Sequence, residues 1–281
     1  MIRIGGRRLR FSDIMTYLVL SVVVLILAIP FIWAFSNAIK TEPEANRLPP
    51  VLIPKTIAWS NFYISLVELL PFHILFRNTL VIASMVIIGE LLSSSFVAYG
   101  FAKLEFPGRE FFFSILLSTM MLPYVVKMIP LFLFYTRLGW INTFYPLIVP
   151  HFFAGTALFV FLLRQFYKTI PDELSDASRI DGCGELQIWW RIMLPLTKPA
   201  LAAITILAFQ KVWNDFMEPL VILRETSVKT VILGIYALIG IDPEWTLVMA
   251  ATISVMIPMI ILFFTFQRYF VEGIAVSGMK G

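Results

Sequence analysis

Charge is scarce in this chain: Asp, Glu, Lys and Arg make up 14% of its 281 residues, against roughly 25% in soluble domains. Cysteine is scarcer still. The single Cys183 excludes an internal disulfide, and with only two histidines, His73 and His151, widely separated, no Cys/His metal site is assembled. A G-x-x-x-x-G-K-[ST] phosphate loop is missing, which excludes a P-loop ATPase. Short alternating strands are missing too, which excludes an outer-membrane barrel.

What the chain has instead is apolar length. Hydrophobic residues reach 59% and mean hydropathy is +0.86. A bilayer-crossing helix needs about 20 predominantly apolar residues. Residues 14–39, 138–163 and 245–267 contain no Asp, Glu, Lys or Arg. Residues 78–102 contain only Glu90, 111–136 only Lys127, and 199–223 hold Lys211, Asp215 and Glu218. These six segments predict an all-α integral membrane protein with six transmembrane helices, folded as one domain over 1–281. Helices are expected because lipid offers the backbone no hydrogen-bond partners.

Six spans put both termini on one side. That side collects Arg3, Arg7, Arg8, Arg10, Lys103, Arg109, Arg164, Lys168, Arg179, Arg191, Lys198, Arg268 and Lys280, whereas the other holds Lys40, Arg47, Lys55, Arg137, Arg224 and Lys229. The bias places both termini in the cytoplasm. The net charge of +4 then reflects topology, and no nucleic-acid partner is needed to explain it. The basic N-terminus precedes an apolar run too long for a signal peptide and lacking an A-x-A-like site, so an uncleaved first helix is expected. The proline-punctuated segment from Lys40 to Phe72 reads as an irregular external cap, and Lys103–Glu110, KLEFPGRE, as a tight cytoplasmic turn. Val231–Ile241 is apolar but too short to span.

The polar island from Ile170 to Leu201, IPDELSDASRIDGCGELQIWWRIMLPLTKPAL, stands between two apolar spans. Pro171 suits a first helical position, and Asp172 and Glu173 suit the positive end of the helix dipole. Ile170, Leu174, Ala177 and Ile180 recur at helical spacing, with Glu173, Asp176 and Arg179 off that stripe. Gly182 predicts a turn, and a second helix is expected over Glu185–Met193. An ordered helix-turn-helix on a membrane protein's cytoplasmic loop reads as a docking surface for a soluble partner. The plainer reading is a loop lying on the membrane interface through Trp189 and Trp190.

These residues resemble the inner-membrane permease subunits of binding-protein-dependent ABC importers, in their maltose-type carbohydrate branch. Asp176-Ala177-Ser178 fills the family's E-A-A place, Asp181-Gly182 its acidic-glycine place, and Leu194-Pro195 with Pro199 its end. Asp176 replaces Glu, Ser178 replaces Ala, and Cys183 stands where alanine is usual. Further likeness lies in Phe76-Arg77-Asn78-Thr79, Met121-Leu122-Pro123, Trp213-Asn214-Asp215 and Gly278-Met279-Lys280-Gly281, covering roughly 72–281. The resemblance implies a type I ABC importer permease fold in a bacterial or archaeal inner membrane. It implies that the 170–199 loop couples to an ATPase through Glu173, Asp176, Ala177, Asp181, Gly182, Leu194 and Pro195, with the tail from Ser277 to Gly281 reaching toward the same interface. It further implies a homologous second permease, two ATP-binding subunits that hold ATP and Mg, and an extracytoplasmic solute-binding protein. No cofactor is expected in this chain.

Ionisable groups at membrane depth are expensive and mark candidate sites. Lys211 and Asp215, at i,i+4, are expected on one helix face. With Trp213 and Asn214 between them they suit a carbohydrate pathway, an indole for a sugar's C–H face and polar groups for its hydroxyls. A helix-packing cluster explains the same residues. Sugar phosphates stay open, since Lys211 favours an anion. Glu90, Lys127 and Lys211 support a rival reading, a proton-coupled secondary transporter, and His151 reads as a hydrogen-bonded packing residue. An intramembrane enzyme would need a nucleophile–base cluster that the sequence does not supply.

Overall fold

The computed structural model describes residues 3–4, 7–8, 11–153, 155–240 and 243–278, with backbone alone at 3–4, 7–8, 11–12, 14 and 267–278. Apart from a two-residue antiparallel pairing of Arg3–Ile4 with Arg7–Arg8, the regular structure among these residues is helical. Two compact units emerge, residues 1–70 with 237–256, and residues 71–236 with 257–281.

In the first unit the helix Phe11–Ala38 exposes its apolar side chains, Leu25 and Leu27 among them, as lipid requires. The segment expected as an irregular cap contains helical turns at Glu42–Ala45 and Ser60–Tyr63 and a π turn at Ile64–Leu69. Its prolines confine these turns to short pieces without abolishing them. The Asn61 amide donates to the carbonyls of Ala38 at 3.0 Å and Lys40 at 2.7 Å, satisfying acceptors left at the end of the first helix. Near the start of the Trp245–Gly278 helix, the Thr246 hydroxyl donates to Glu42 at 2.7 Å.

The second unit is organised around the helix Phe72–Lys103, which buries Ser93, Ser94, Ser95, Asn78 and Glu90 alongside its aliphatic residues. Near its start the Asn78 amide donates to the carbonyls of Ser227 at 2.8 Å and Lys229 at 3.1 Å. The Thr79 hydroxyl accepts from the Val231 N–H at 3.0 Å, fixing the start of the helix Val231–Leu238. That helix is the short apolar segment of the sequence; Ile241, its expected last residue, lies outside the described residues.

Among the described residues, four helical stretches are long and apolar enough to cross a membrane: Met15–Ala38, Phe72–Lys103, Tyr145–Tyr167 and Trp245–Phe266. Two further pairs are bent, Arg109–Met121 with Tyr124–Arg137 by 95° and Glu185–Leu196 with Lys198–Trp213 by 80°. Counting each pair as one crossing brings the total to six. The expected continuous span over 111–136 is therefore broken. Leu122, preceding Pro123, is extended at φ −82° and ψ 109°, because the proline ring disfavours helical backbone there. The expected span over 199–223 ends at Trp213 and resumes as Met217–Ile222, and the one over 138–163 is interrupted between the 3-10 turn Val149–Phe152 and the helix Ala157–Tyr167.

That last interruption sits against Glu90. Its carboxylate accepts from the Thr156 N–H at 2.8 Å, the Thr156 hydroxyl at 2.5 Å and the Ser94 hydroxyl at 3.1 Å, and it meets His151 Nδ1 at 2.7 Å. Gly155, at φ +62°, allows the approach; a Cβ there would lie 2.0 Å from Ser94 Oγ. An unpaired buried N–H costs about 1–3 kcal/mol. Glu90→Ala strands the Thr156 N–H and His151 together, so its melting temperature in detergent should fall well below that of Glu90→Gln, which keeps an acceptor. Equal thermal unfolding curves for the two variants would deny the network a stabilising role.

Candidate functional site

The polar loop folds as two short helices, Glu173–Ile180 and Glu185–Ile188, the second continuing as a π turn over Trp189–Met193. The first starts two residues after Pro171, with Asp172 at its N-cap. The turn between them is a Schellman motif: the Gly182 N–H donates to Arg179 O at 3.0 Å and the Cys183 N–H to Ser178 O at 2.9 Å. Gly182 has φ +85°, the left-handed conformation this motif needs. Leu194 follows the π turn half-buried, and Pro195 and Pro199 begin the last short turn and the helix Lys198–Trp213.

Burial divides the loop in two. Ile170, Ile188 and Met193 enter a core cluster with Ala98, Tyr99, Leu163 and Tyr167, each large apolar side chain contributing about 1.5–3 kcal/mol on leaving water. On the helix Glu173–Ile180 the buried residues are the small Ser175 and Ser178, while Glu173, Leu174, Asp176, Ala177 and Asp181 are exposed. Ile180 is 87% exposed and Leu186 64%. The apolar stripe read from the sequence thus faces outward beyond Ile170.

Polar contacts hold the inner side. Lys103 Nζ donates to Ile170 O at 2.5 Å and to Asp172 Oδ1 at 2.6 Å. The Tyr99 hydroxyl donates to Glu185 at 2.5 Å. Arg179 bonds both Asp176 and Glu185 at 2.7 Å. The Lys103 ammonium holds the Asp172 carboxyl below its ordinary range, so the pair is intact at neutral pH and is lost only as acidification passes that lowered value. Glu185 beside Arg179 raises the guanidinium's pKa further, keeping it charged. A groove of about 780 Å³ runs between this loop and the Leu104–Arg109 turn. Tyr99, Lys103 and Glu185 were not marked by sequence spacing; only the shared cytoplasmic side of KLEFPGRE and the loop hinted that they meet.

The second candidate cluster is partly rearranged relative to the sequence expectation. Because the helix ends at Trp213, Lys211 and Asp215 do not share a helical face, yet both line one small cavity of about 20 Å³ with His151, Glu218 and Thr230. That volume suits a water and excludes a sugar ring. Asn214 turns its amide to Gln210 O at 2.8 Å. Trp213 is 2% exposed, stacked on Phe209 at 5.0 Å and edge-on to Phe76 at 5.8 Å, so its ring faces are covered by protein. Lys127 is exposed and does not line this cavity. His151 and Glu218 are the residues that the sequence reading left out of this cluster. Met279 to Gly281, from the tail implicated by resemblance, lie outside the described residues.

These features define a multi-pass membrane protein whose structured polar loop is anchored on its buried helix. The chain belongs to the binding-protein-dependent transport system inner membrane components, matching that family over residues 91–276. It is 38% identical over 242 residues to the arabinooligosaccharides transport system permease protein AraQ of Halalkalibacterium halodurans, covering 86% of each chain. To the sn-glycerol-3-phosphate transport system permease protein UgpE of Yersinia pestis it is 34% identical, over 95% of this chain and 98% of the other. It also resembles a chain in the crystal structure of a bacterial ABC transporter involved in the import of the acidic polysaccharide alginate. There the TM-score is 0.81 at 26% identity, covering 94% of this chain and 99% of that one.

Gly182→Val places a β-branched side chain at positive φ, where strain is about 1–2 kcal/mol even with open space around the residue. Protease cleavage within 173–188 should accelerate severalfold while membrane insertion is retained. Gly182→Ala should fall between the two. Unchanged cleavage for Gly182→Val would show that the motif does not hold the turn.

Proposed function

We propose that this chain is the transmembrane subunit of an ATP-driven importer and forms half of a translocation pathway for a carbohydrate or carbohydrate-like solute. The whole chain, 1–281, acts as one permease domain of the type I ABC importer fold, with six crossings and both termini in the cytoplasm of a bacterial or archaeal cell. A homologous second permease supplies the other half of the pathway. Two ATP-binding subunits hold ATP and Mg, an extracytoplasmic protein delivers solute, and this chain carries no cofactor and no enzymatic activity of its own.

The carrying observation is the loop's division into a buried inner side and an exposed outer side. Ile180 and Leu186 present apolar surface to water on an otherwise anchored element, which a groove in a soluble subunit would cover. Glu173, Asp176, Ala177, Asp181 and Gly182 stand on or beside that face, with Leu194 and Pro195 at the loop's exit. The printed functions of the relatives, transport of arabinooligosaccharides and of sn-glycerol-3-phosphate, support the solute class. Lys211, Asn214 and Asp215, with Trp213 packed behind them, are the pathway residues of this reading.

The secondary-transporter alternative loses its main support in Glu90. That carboxylate is held by His151, Thr156 and Ser94 as an anchor of the interrupted stretch, and the relatives' printed roles as transport system permease proteins do not favour the alternative.

Co-purification in mild detergent tests the reading: a Walker-motif ATPase should accompany the chain and be lost when Leu186→Asp and Ile180→Asp are combined. A chain that purifies alone and transports on a proton gradient would overturn it. Asp215→Ala should lower solute uptake at least severalfold without loss of assembly. Normal uptake by that variant would remove Asp215 from the pathway.

A further inference from the structure

The contacts on the inner side of the loop come from a helix that is not its neighbour in sequence. Lys103 and Tyr99 lie at i and i−4 on the helix Phe72–Lys103, so they share a face. The Lys103 side chain is 3% exposed and reaches the loop's entry through Ile170 O and Asp172. Tyr99 is 2% exposed and reaches the second loop helix through Glu185 at 2.5 Å. Glu185 in turn holds Arg179, which holds Asp176 on the first loop helix. Both loop helices are therefore tied to one face of one membrane helix. Beneath these bonds Tyr99 packs edge-on against Tyr167 at 6.1 Å, and Ile170 and Ile188 fill the same cluster.

A loop joined only through its chain ends could swing on those ends. Two further attachments from a non-adjacent helix remove that freedom. The polar bonds also carry direction that apolar packing lacks, because a buried ammonium and a buried phenol that lose their acceptors are left unpaired. Sliding is penalised and rigid movement is not.

We propose that Tyr99 and Lys103 are positioning residues that latch the 170–199 loop to the Phe72–Lys103 helix, so that loop and helix move as one body. The proposal rests on the reading of the loop as the ATPase-docking element. The same helix carries Glu90, about 14 Å further along at ~1.5 Å per residue. Glu90 holds His151, a wall of the cavity that contains Lys211, Asp215 and Glu218. A push on the loop's exposed face thereby reaches the polar cluster through a single helix.

The experiment uses the complete complex in proteoliposomes, with Cys183→Ser and spin labels at Ile88→Cys and Gln187→Cys. Both sites are exposed, one on the helix and one on the loop. Distances between the labels are recorded without nucleotide and after trapping with ATP and vanadate. ATP hydrolysis is measured with and without the purified solute-binding protein. The latched form should give one narrow distance, the same in both states. Tyr99→Phe combined with Lys103→Met should broaden it and reduce stimulation of hydrolysis by the binding protein severalfold, while Lys103→Arg alone should restore the narrow distance. Where the double variant does not assemble, Tyr99→Phe alone, which keeps the ring, gives the same reading. A distance that shifts between the two states in the latched protein would overturn the proposal, as would variants with unchanged distance and stimulation. Failure of the unaltered chain to bind an ATPase would instead refute the docking reading on which the proposal rests.

Discussion

Lipid supplies no hydrogen-bond partners, so a membrane-embedded chain that leaves the helical path must find partners within the protein. Between Phe152 and Ala157 this chain does leave it, and the Glu90 carboxylate supplies what is missing. One acidic side chain accepts from a backbone N–H and two hydroxyls and fixes an imidazole. The position of His151 in the cavity wall follows from that bond. So does the tight contact between the Phe72–Lys103 helix and the interrupted stretch. A charge that would be an expense in isolation becomes the anchor of the helical arrangement once every lone pair is engaged.

The same helix organises both of its surroundings. Near its start Asn78 and Thr79 gather the Ser227–Val231 segment, and near its end Tyr99 and Lys103 gather the polar loop. The loop obeys an unusual amphipathic logic. On the helix Glu173–Ile180 small serines face inward and Leu174 and Ile180 face outward, while Ile188 and Met193 beyond the turn enter the core.

The sequence made the apolar lengths legible because hydropathy is a property of composition. It could not show where those lengths break. The residues either side of Pro123 are equally apolar, so hydropathy ran through the break at Leu122, where the following proline disfavours helical backbone. Gly182 was legible because its conformation is a local requirement. The pairing of Tyr99 with Glu185 and of Lys103 with Asp172 was not, since these partners are distant in the chain and carry no periodic signal. Lys211 and Asp215, expected on one helical face, instead lie either side of a helix end and line a shared cavity, with Trp213 turned into the packing behind them.

Gly155 and Ser94 occupy nearly the same space: a side chain on the first would overlap the hydroxyl of the second. Neither position is therefore free to drift by itself. Lineages that enlarge residue 155 must lose or redirect Ser94, and would then have to find another partner for the Glu90 oxygen it serves. These positions, far apart along the chain, form one heritable unit whose members change together or stay as they are.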